Sequence, residues 1–199
     1  MIDDADVLYG EALERFRSLF ERAGETGLKE PTAMNLATVD AQGRPSSRMV
    51  LLKHFDEHGF VFYTNRNSRK GRQLGGNPNA ALCFFWDPLM EQVRIEGATV
   101  TVTNEEADDY WKTRSRNSQL GAWASFQSEP LDSRDTLEAR FAQMRERFAE
   151  QPIPRPPHWS GYRMVPELIE FWVGVEFRLH ERTCYRKAGR AWTVSLLNP

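Results

Sequence analysis

Two adjacent cations, Arg69 and Lys70, follow Ser68 at the predicted start of a short helix. The first turn of a helix leaves backbone N–H groups without partners, and such groups bind anions. Arg and Lys side chains beside them would add charge-assisted hydrogen bonds to a phosphate. The pattern therefore indicates a phosphate site, and the alternative is a solvated basic turn.

A second candidate site consists of Tyr110, Arg114 and Ser118, which follow one another at intervals of four residues. On a continuous helix this spacing places the three side chains on one face. A phenol, a guanidinium and a hydroxyl can each donate a hydrogen bond to a phosphate. The alternatives are an exposed polar face, or a helix that already ends within residues 115–117.

Basic side chains also alternate near the C-terminus, at Arg178, His180 and Arg182. On a strand they would share one face, where they repel one another unless an anion or an electron-rich ligand lies over them. The alternative is an exposed edge strand whose carboxylate partners are Glu176 and Glu181.

Residues 48–53 form a predicted strand that carries a cation on each face. The two sets of side chains are Arg48, Val50 and Leu52 on one side, and Met49, Leu51 and Lys53 on the other. A Lys on the apolar face of a half-buried sheet needs an anionic partner.

The overall charge argues against several classes of partner. The 26 Lys and Arg and 28 Asp and Glu residues give a formal net charge of -2, so we expect neither a nucleic-acid partner nor a membrane partner. No apolar run approaches the roughly 18 residues of a membrane-spanning helix. The acidic N-terminus lacks the apolar region of a secretory signal, and two cysteines make no disulfide framework, so we expect a cytoplasmic location.

Motifs for common nucleotide, metal and hydrolase sites are missing from the sequence. It contains no GxGxxG after a strand and no Walker A, HExxH or GxSxG motif. Cys83 and Cys184 form no CxxC or Cys/His cluster, so no metal site is expected. Cys83 lies in an apolar run, which predicts a buried free thiol.

Hydrophobic periodicity predicts the elements that position these side chains. Apolar residues recur at helical spacing from Val7 to Ala23, and short alternating segments joined by Gly-containing turns indicate an antiparallel barrel or sandwich. The predicted strands are 33–39, 48–53, 60–64, 80–86, 92–103, 162–176 and 177–197, and the later helices are 68–74, 104–114 and 133–149. We therefore expect one α+β domain over residues 1–199, with an N-terminal helix region at 1–28 and C-terminal strands at 160–199.

Several separated blocks together resemble a known family. The most specific block is Ile-Glu-Phe-Trp at 169–172 followed by Arg-Leu-His-Glu-Arg at 178–182. Further matching blocks are residues 48–53, 62–65, 68–70 and 118–123. From about residue 31 to residue 199 the chain resembles the FMN-dependent pyridoxine/pyridoxamine 5′-phosphate oxidases.

The resemblance implies a mainly antiparallel FMN-binding split β-barrel with flanking helices, working as a homodimer with FMN at the subunit interface. The implied FMN contacts are Arg48, Met49, Val50, Leu51, Leu52, Lys53, Tyr63, Thr64, Arg69, Lys70, Gln92, Gln127, Ser128, Trp172 and Arg182, of which Arg69 and Lys70 hold its phosphate. The implied substrate contacts are Lys53, Tyr110, Arg114 and Ser118 on the phosphate, and the catalytic pair Arg178 and His180 over the pyridine ring.

The implied reaction is the oxidation of pyridoxine or pyridoxamine 5′-phosphate to pyridoxal 5′-phosphate. A hydride passes from the substrate C4′ to flavin N5, and O2 reoxidises the flavin to give H2O2. Two phosphate-bearing ligands require two cationic clusters, which Arg69 with Lys70 and Lys53 with Arg114 supply.

Three departures from the family pattern leave alternatives open. The N-terminal arm is short, Glu91 stands where relatives often have Arg, and Glu181 replaces the commoner Asp. A Glu at position 181 is also a feature of the flavin oxidases of phenazine biosynthesis, although these typically lack a lysine at the position of Lys53. A third hypothesis is a non-catalytic split barrel that binds flavin, haem or pyridoxal phosphate.

Overall fold

The computed structural model describes residues 4–199, which form a nine-stranded antiparallel sheet and five α-helices. The strands are β1 (Ala33–Val39), β2 (Pro45–Leu51), β3 (His54–Asp56), β4 (Gly59–Asn65), β5 (Asn79–Trp86), β6 (Glu91–Thr101), β7 (Trp159–Val173), β8 (Glu181–Ala188) and β9 (Ala191–Leu196). The helices are α1 (Asp4–Glu25), α2 (Arg69–Gly76), α3 (Asn104–Thr113), α4 (Arg116–Ala124) and α5 (Arg134–Arg147). The α+β split-barrel prediction is confirmed.

Strand β7 is the branch point of the sheet. One of its edges pairs with β6, while the other pairs with β4 over residues 159–164 and with β8 over residues 168–173. A register shift in the β6 pairing at Glu96 and Gly97 marks the division. The sheet therefore separates into two lobes at β7, which is the split of the barrel.

The two faces of the sheet differ in burial. The inner face carries Leu36, Phe84 and Ile95, which are fully buried, and it is covered by α1. Phe16 of α1 lies in the centre of this core, with ring contacts to several phenylalanines of the sheet. The outer face carries the exposed Phe85 and is far less covered.

Gly59 illustrates how closely the strands approach. Its φ is +126°, and a Cβ atom there would lie 2.0 Å from the backbone oxygen of Met164. We expect Gly59→Ala to lower the free energy of unfolding by about 2–4 kcal/mol, because overlap adds to backbone strain. Gly43, with a φ of +77° and open space around it, is the matched control.

In urea denaturation Gly43→Ala is expected to cost only about 1–2 kcal/mol, the strain of a left-handed backbone. Equal losses for the two variants would contradict the steric explanation.

One helix prediction is confirmed, and two other sequence-based expectations are wrong. The helix predicted to run to about Arg114 ends at Thr113, and a separate helix, α4, begins at Arg116. No strand starts at residue 177 among the described residues, because residues 176–178 form a short 3-10 turn and β8 begins at Glu181. Cys83 is half-buried, since its side chain lies on the outer face.

Candidate active site

Lys70 is a buried cation surrounded by neutral groups. Its side chain is on the first turn of α2, and the residue is only 7% exposed. The ammonium donates to Thr64 Oγ1 at 3.1 Å, Gln127 Oε1 at 3.4 Å and Ser68 Oγ at 3.5 Å. Burial, together with the positive charge of Arg48, lowers the pKa of Lys70 to about 8. This site therefore lacks a negative charge.

Arg48 and Arg69 extend the same positive site. Arg48 donates to Ser46 Oγ at 2.7 Å and to Thr38 Oγ1 at 2.5 Å, both neutral acceptors. Burial and the nearby Arg69 lower the pKa of Arg48. Within residues 4–199 none of Arg48, Arg69 and Lys70 forms a salt bridge. Three close cations without a carboxylate fit a phosphate dianion.

A second site is built on three stacked rings. Tyr63 stacks on Tyr110 with ring centroids 4.1 Å apart and on Trp159 at 5.3 Å. The guanidinium of Arg114 lies over Trp159 at 4.8 Å. Burial, followed by the charge of Glu106, raises the pKa of Tyr63 to about 12, so its hydroxyl stays protonated and can donate.

Arg114 lines a cavity of about 210 Å³ beside this stack. Its Nη2 donates to the backbone oxygen of Ser118 at 3.0 Å, while its Nε is buried and has no hydrogen-bond partner among the described residues. The cavity is lined by Tyr63, Thr64, Asn65, Arg114, Gly121, Ala122, Ser125, Gln127 and Trp159. A guanidinium that lines a cavity suits an anionic ligand group.

Tyr110, Arg114 and Ser118 do not share a helix face, because the helix ends before residue 115, close to the early end that the sequence left open as an alternative. Arg114 has an extended backbone at the end of α3, and Ser115 caps α4 through a hydrogen bond from the Ser118 N–H. Arg114 and Ser118 nevertheless remain adjacent across this break. Lys53 is exposed just after β2 and does not line the cavity.

Gln92, Trp172 and Arg182 form a row across β6, β7 and β8 on the outer face. Arg182 Nε donates to Glu170 Oε1 at 2.8 Å, and the same carboxylate accepts from Arg94 Nη1 at 3.1 Å. Glu170 is 4% exposed, so its charge is held between two guanidinium groups. Part of the donor capacity of Arg182 is therefore already used within the chain.

Arg178 and His180 lie in the turn before β8, and so do not alternate with Arg182 on one strand as the sequence suggested. Phe177 and Arg178 have φ values of 57° and 62°, a left-handed conformation that is strained for such residues. The His180 ring is 4.6 Å from that of Trp172, and its Nδ1 accepts a hydrogen bond from the Val175 N–H. His180 is thereby placed beside the outer-face row, while Arg178 is exposed.

The predicted cofactor residues fall into two groups on opposite sides of the sheet. Arg48 pairs in register with the buried Leu36, so it lies on the inner side near α2, whereas Gln92 and Trp172 lie on the outer face. Met49 is also on the outer face, and Val50 packs against the core as the alternation predicted. Leu52 is buried, Leu51 is half-buried and Ser128 is exposed.

Sequence reasoning missed Asn65, Ser125 and Trp159 as part of the cavity beside Arg114. Ser115, followed five residues later by Leu120 at the start of the apolar part of α4, was a helix-start signal that could have revealed this helix. Trp159 had no local signal, because it lies 45 residues from Arg114 in the sequence.

The fold and these sites define the class of FMN-binding split barrels. A pyridoxamine 5′-phosphate oxidase-related, FMN-binding protein from Nostoc punctiforme superimposes with a TM-score of 0.68 at 21% identity, covering 96% of this chain and 95% of that one. PhzG from Burkholderia lata 383, solved in complex with tetrahydrophenazine-1-carboxylic acid, gives a TM-score of 0.89 at 33% identity, with 94% and 92% covered.

Family profiles and similar sequences identify the family within this class of proteins. Residues 20–148 match the profile described as pyridoxamine 5′-phosphate oxidase, and residues 159–199 match the pyridoxine 5′-phosphate oxidase C-terminal dimerisation region. The pyridoxine/pyridoxamine 5′-phosphate oxidase of Myxococcus xanthus (strain DK1622) is 54% identical over 189 residues, 95% of this chain and 92% of the relative. That of Alkalilimnicola ehrlichii is 52% identical, with 96% and 99% covered. The chain belongs to the pyridoxine/pyridoxamine 5′-phosphate oxidase family.

Two negative observations apply to residues 4–199. None of the helices there combines the length and apolar character needed to cross a membrane. The same residues contain no cluster of three or more His, Cys, Asp or Glu side chains arranged to hold a metal ion.

Proposed function

We propose that this protein oxidises pyridoxine 5′-phosphate or pyridoxamine 5′-phosphate to pyridoxal 5′-phosphate, with FMN as cofactor and O2 as final electron acceptor, giving H2O2. With the amine substrate, water hydrolyses the imine that forms and ammonia is released. The observation that carries the proposal is the pair of cationic centres, one formed by Arg48, Arg69 and Lys70 and one at Arg114, which adjoin through Thr64 and Gln127. A chain with a net charge of -2 gathers two such sites most simply for two phosphorylated ligands.

The residues around Lys70 fit FMN. Arg48, Arg69 and Lys70 would hold its phosphate, because no carboxylate of the described residues neutralises them. Bound FMN supplies the acceptor for the hydride that leaves the substrate C4′. Since Trp172 and Gln92 lie on the opposite side of the sheet from Lys70, one flavin would reach both groups most directly in a homodimer, with the outer-face row supplied by the partner chain.

The chain's own groups then bind and orient the substrate. Arg114, with Tyr110 beside it, would hold the substrate phosphate and fix the pyridine ring relative to the flavin. His180 Nδ1 accepts from the Val175 N–H, so a neutral imidazole carries its proton on Nε2. His180 can therefore donate a hydrogen bond from Nε2, and Arg178 adds positive charge nearby. Both side chains suit charge stabilisation rather than strong general-base catalysis.

The direct test uses the FMN-loaded protein. Under anaerobic conditions, pyridoxine 5′-phosphate is expected to bleach the flavin absorbance, and air should restore it with release of H2O2. Oxygen consumption with each of the two substrates measures turnover. FMN-loaded protein that turns over neither substrate contradicts the proposal.

Replacement of His180 or Arg178 tests their assigned role. We expect His180→Ala and Arg178→Met each to lower kcat about tenfold, the effect of losing roughly one hydrogen bond in the transition state, with FMN still bound. Glu176→Gln, an exposed change in the same turn, is the control and should leave kcat unchanged. Unaltered turnover in both test variants would refute the role.

Oxidation of a tricyclic phenazine precursor is the second candidate. It is favoured by Glu181 and by the similarity to PhzG at 33% identity. The two candidates are separated by assaying pyridoxine 5′-phosphate and tetrahydrophenazine-1-carboxylic acid side by side. Saturable binding of pyridoxal 5′-phosphate that depends on Arg114 would count against the phenazine substrate.

A further inference from the structure

We infer that Arg163, which lies outside the phosphate cavity, is a positioning residue that orients Tyr110 and Arg114 by clamping α3 onto β7. The inference rests on the proposed function only for the identity of the ligand that Arg114 holds. The clamp itself is a feature of the described contacts.

Arg163 joins three elements through one guanidinium. It extends from β7, donates from Nη1 to Asp56 Oδ1 at 2.6 Å at the end of β3, and donates from Nη2 to Glu106 Oε1 at 2.7 Å in the first turn of α3. Its side chain is only 13% exposed. A planar guanidinium can hold two carboxylates in fixed directions, which a flexible ammonium cannot.

Glu106 connects the ion pair with Arg163 to the N-terminus of α3. Its other carboxylate oxygen accepts from the Thr103 N–H at 2.9 Å, and the Thr103 hydroxyl accepts from the Glu106 N–H at 3.1 Å, which together form a capping box. Its backbone oxygen also accepts from the Tyr63 hydroxyl at 3.3 Å. The start of α3 is therefore fixed to both β7 and β4.

The position of α3 determines where the side chains of Tyr110 and Arg114 lie relative to the cavity. Tyr110 lies one turn beyond Glu106 on α3, and Arg114 directly follows the last residue of the helix, with its backbone N–H donating to the Trp111 oxygen. Because a short helix moves as a rigid body, a shift of its first turn moves both side chains. Arg163 is absent from the cavity lining, and its charge is already matched by Asp56 and Glu106. Direct binding of the ligand phosphate by Arg163 is therefore disfavoured.

The same face of β7 positions the stacked rings. Trp159, Gly161 and Arg163 alternate along one face of the strand. Gly161 pairs in register with Tyr63, and a Cβ atom at Gly161 would lie 2.8 Å from the Tyr63 ring. On this face Trp159 stacks on Tyr63, the missing side chain of Gly161 leaves room for the Tyr63 ring, and Arg163 binds α3.

Arg163→Met and Arg163→Lys test the clamp in the FMN-loaded protein. For Arg163→Met we expect the KM for pyridoxine 5′-phosphate to rise between about 10- and 100-fold, as misplacement of a binding group does, with kcat changed less than about twofold. The flavin absorbance per subunit should stay unchanged. Arg163→Lys should recover part of the loss because it keeps one ion pair. Arg134→Met, which removes an exposed ion pair on α5, should leave KM unaltered.

Glu106→Gln provides a second route if Arg163→Met folds poorly. It keeps the shape and the capping hydrogen bond but weakens the ion pair, so it should raise KM in the same direction. In the double variant the two effects should be less than additive, because both remove one interaction.

Three results would overturn the inference: an unchanged KM in both single variants, a fall in kcat with KM unaltered, or fully additive effects. Wild-type protein that turns over neither phosphorylated substrate contradicts the proposed function instead. An active wild type whose Arg163 variants keep the normal KM contradicts only the clamp.

Discussion

The affinity of the apoprotein for FMN is expected to fall about tenfold per pH unit above pH 8, and this fall should vanish in Lys70→Arg. The pKa of Lys70 is lowered to about 8 in the free site. Above that pH the lysine is neutral and must take up a proton to bind a phosphate dianion. Arginine stays protonated throughout, so the Arg variant has no such proton to gain.

Quenching of FMN fluorescence, titrated from pH 6.5 to 9.5, measures the effect. The phosphate of FMN is expected to be dianionic over most of this range, since its second pKa is about 6. Lys70→Met should bind FMN about 10- to 100-fold more weakly at pH 7 and should show no break near pH 8. A wild-type Kd that is constant across pH 8 would contradict the assignment of Lys70 to the phosphate.

The same pKa has an opposite consequence for the stability of the apoprotein. The folded-state pKa of about 8 lies below 10.5, the usual pKa of a lysine, so between these pH values the unfolded chain binds more protons. Stability therefore rises with pH across that window, and this contribution is lost as the pH falls through the window to the folded-state pKa of about 8. Chemical denaturation at pH 7 should find apo Lys70→Met more stable than the apo wild type, although it binds FMN less well.

Arg114→Met is expected to raise the KM for pyridoxine 5′-phosphate about 100-fold while FMN remains bound. A charge-assisted hydrogen bond contributes about 1.5–3 kcal/mol, and the guanidinium can offer the phosphate a pair of them. Arg114 lines the cavity beside Trp159, so its guanidinium is placed for this contact. Steady-state kinetics at several substrate concentrations separate KM from kcat.

Two further variants sharpen the test of Arg114. Arg114→Lys should be intermediate, because an ammonium keeps the charge but loses the planar pair of donors. Arg145→Met removes an exposed arginine of α5 and should leave KM unchanged. If Arg114→Met and Arg145→Met behave alike, the cavity beside Trp159 is not the substrate phosphate site.

Local patterns were sufficient for much of the fold and for placing Lys70 in the first turn of α2. Ser68 caps α2 as its sequence position suggested, and β1, β2, β4, β5 and β6 overlap the predicted strands, whereas the short β3 was not predicted. These features depend on neighbours in sequence, which periodicity and capping preferences describe. The neutral partners of Lys70 were not visible, because Gln127 lies 57 residues away.

The errors occur where short-range hydrogen bonds between side chain and backbone redirect the chain, which apolar periodicity does not describe. Spacing suggested one helix through Arg114 and Ser118, but Ser115 adopts a capping conformation that divides it. No Gly or Asn marks the left-handed backbone at Phe177 and Arg178. The donation from the Val175 N–H to His180 helps hold that turn, and periodicity could not have predicted it.

The branch at β7 also has a consequence for synthesis of the chain on the ribosome. Strands β4 and β6 emerge early, yet the edges that pair with β7 stay open until residues 159–173 have been made. Unpaired strand edges can join to other chains, and long-range pairing is slow to form. A nascent chain stopped before residue 159 would therefore expose the unpaired edges of β4 and β6. The last fifth of the sequence thus also protects the first four fifths from aggregation.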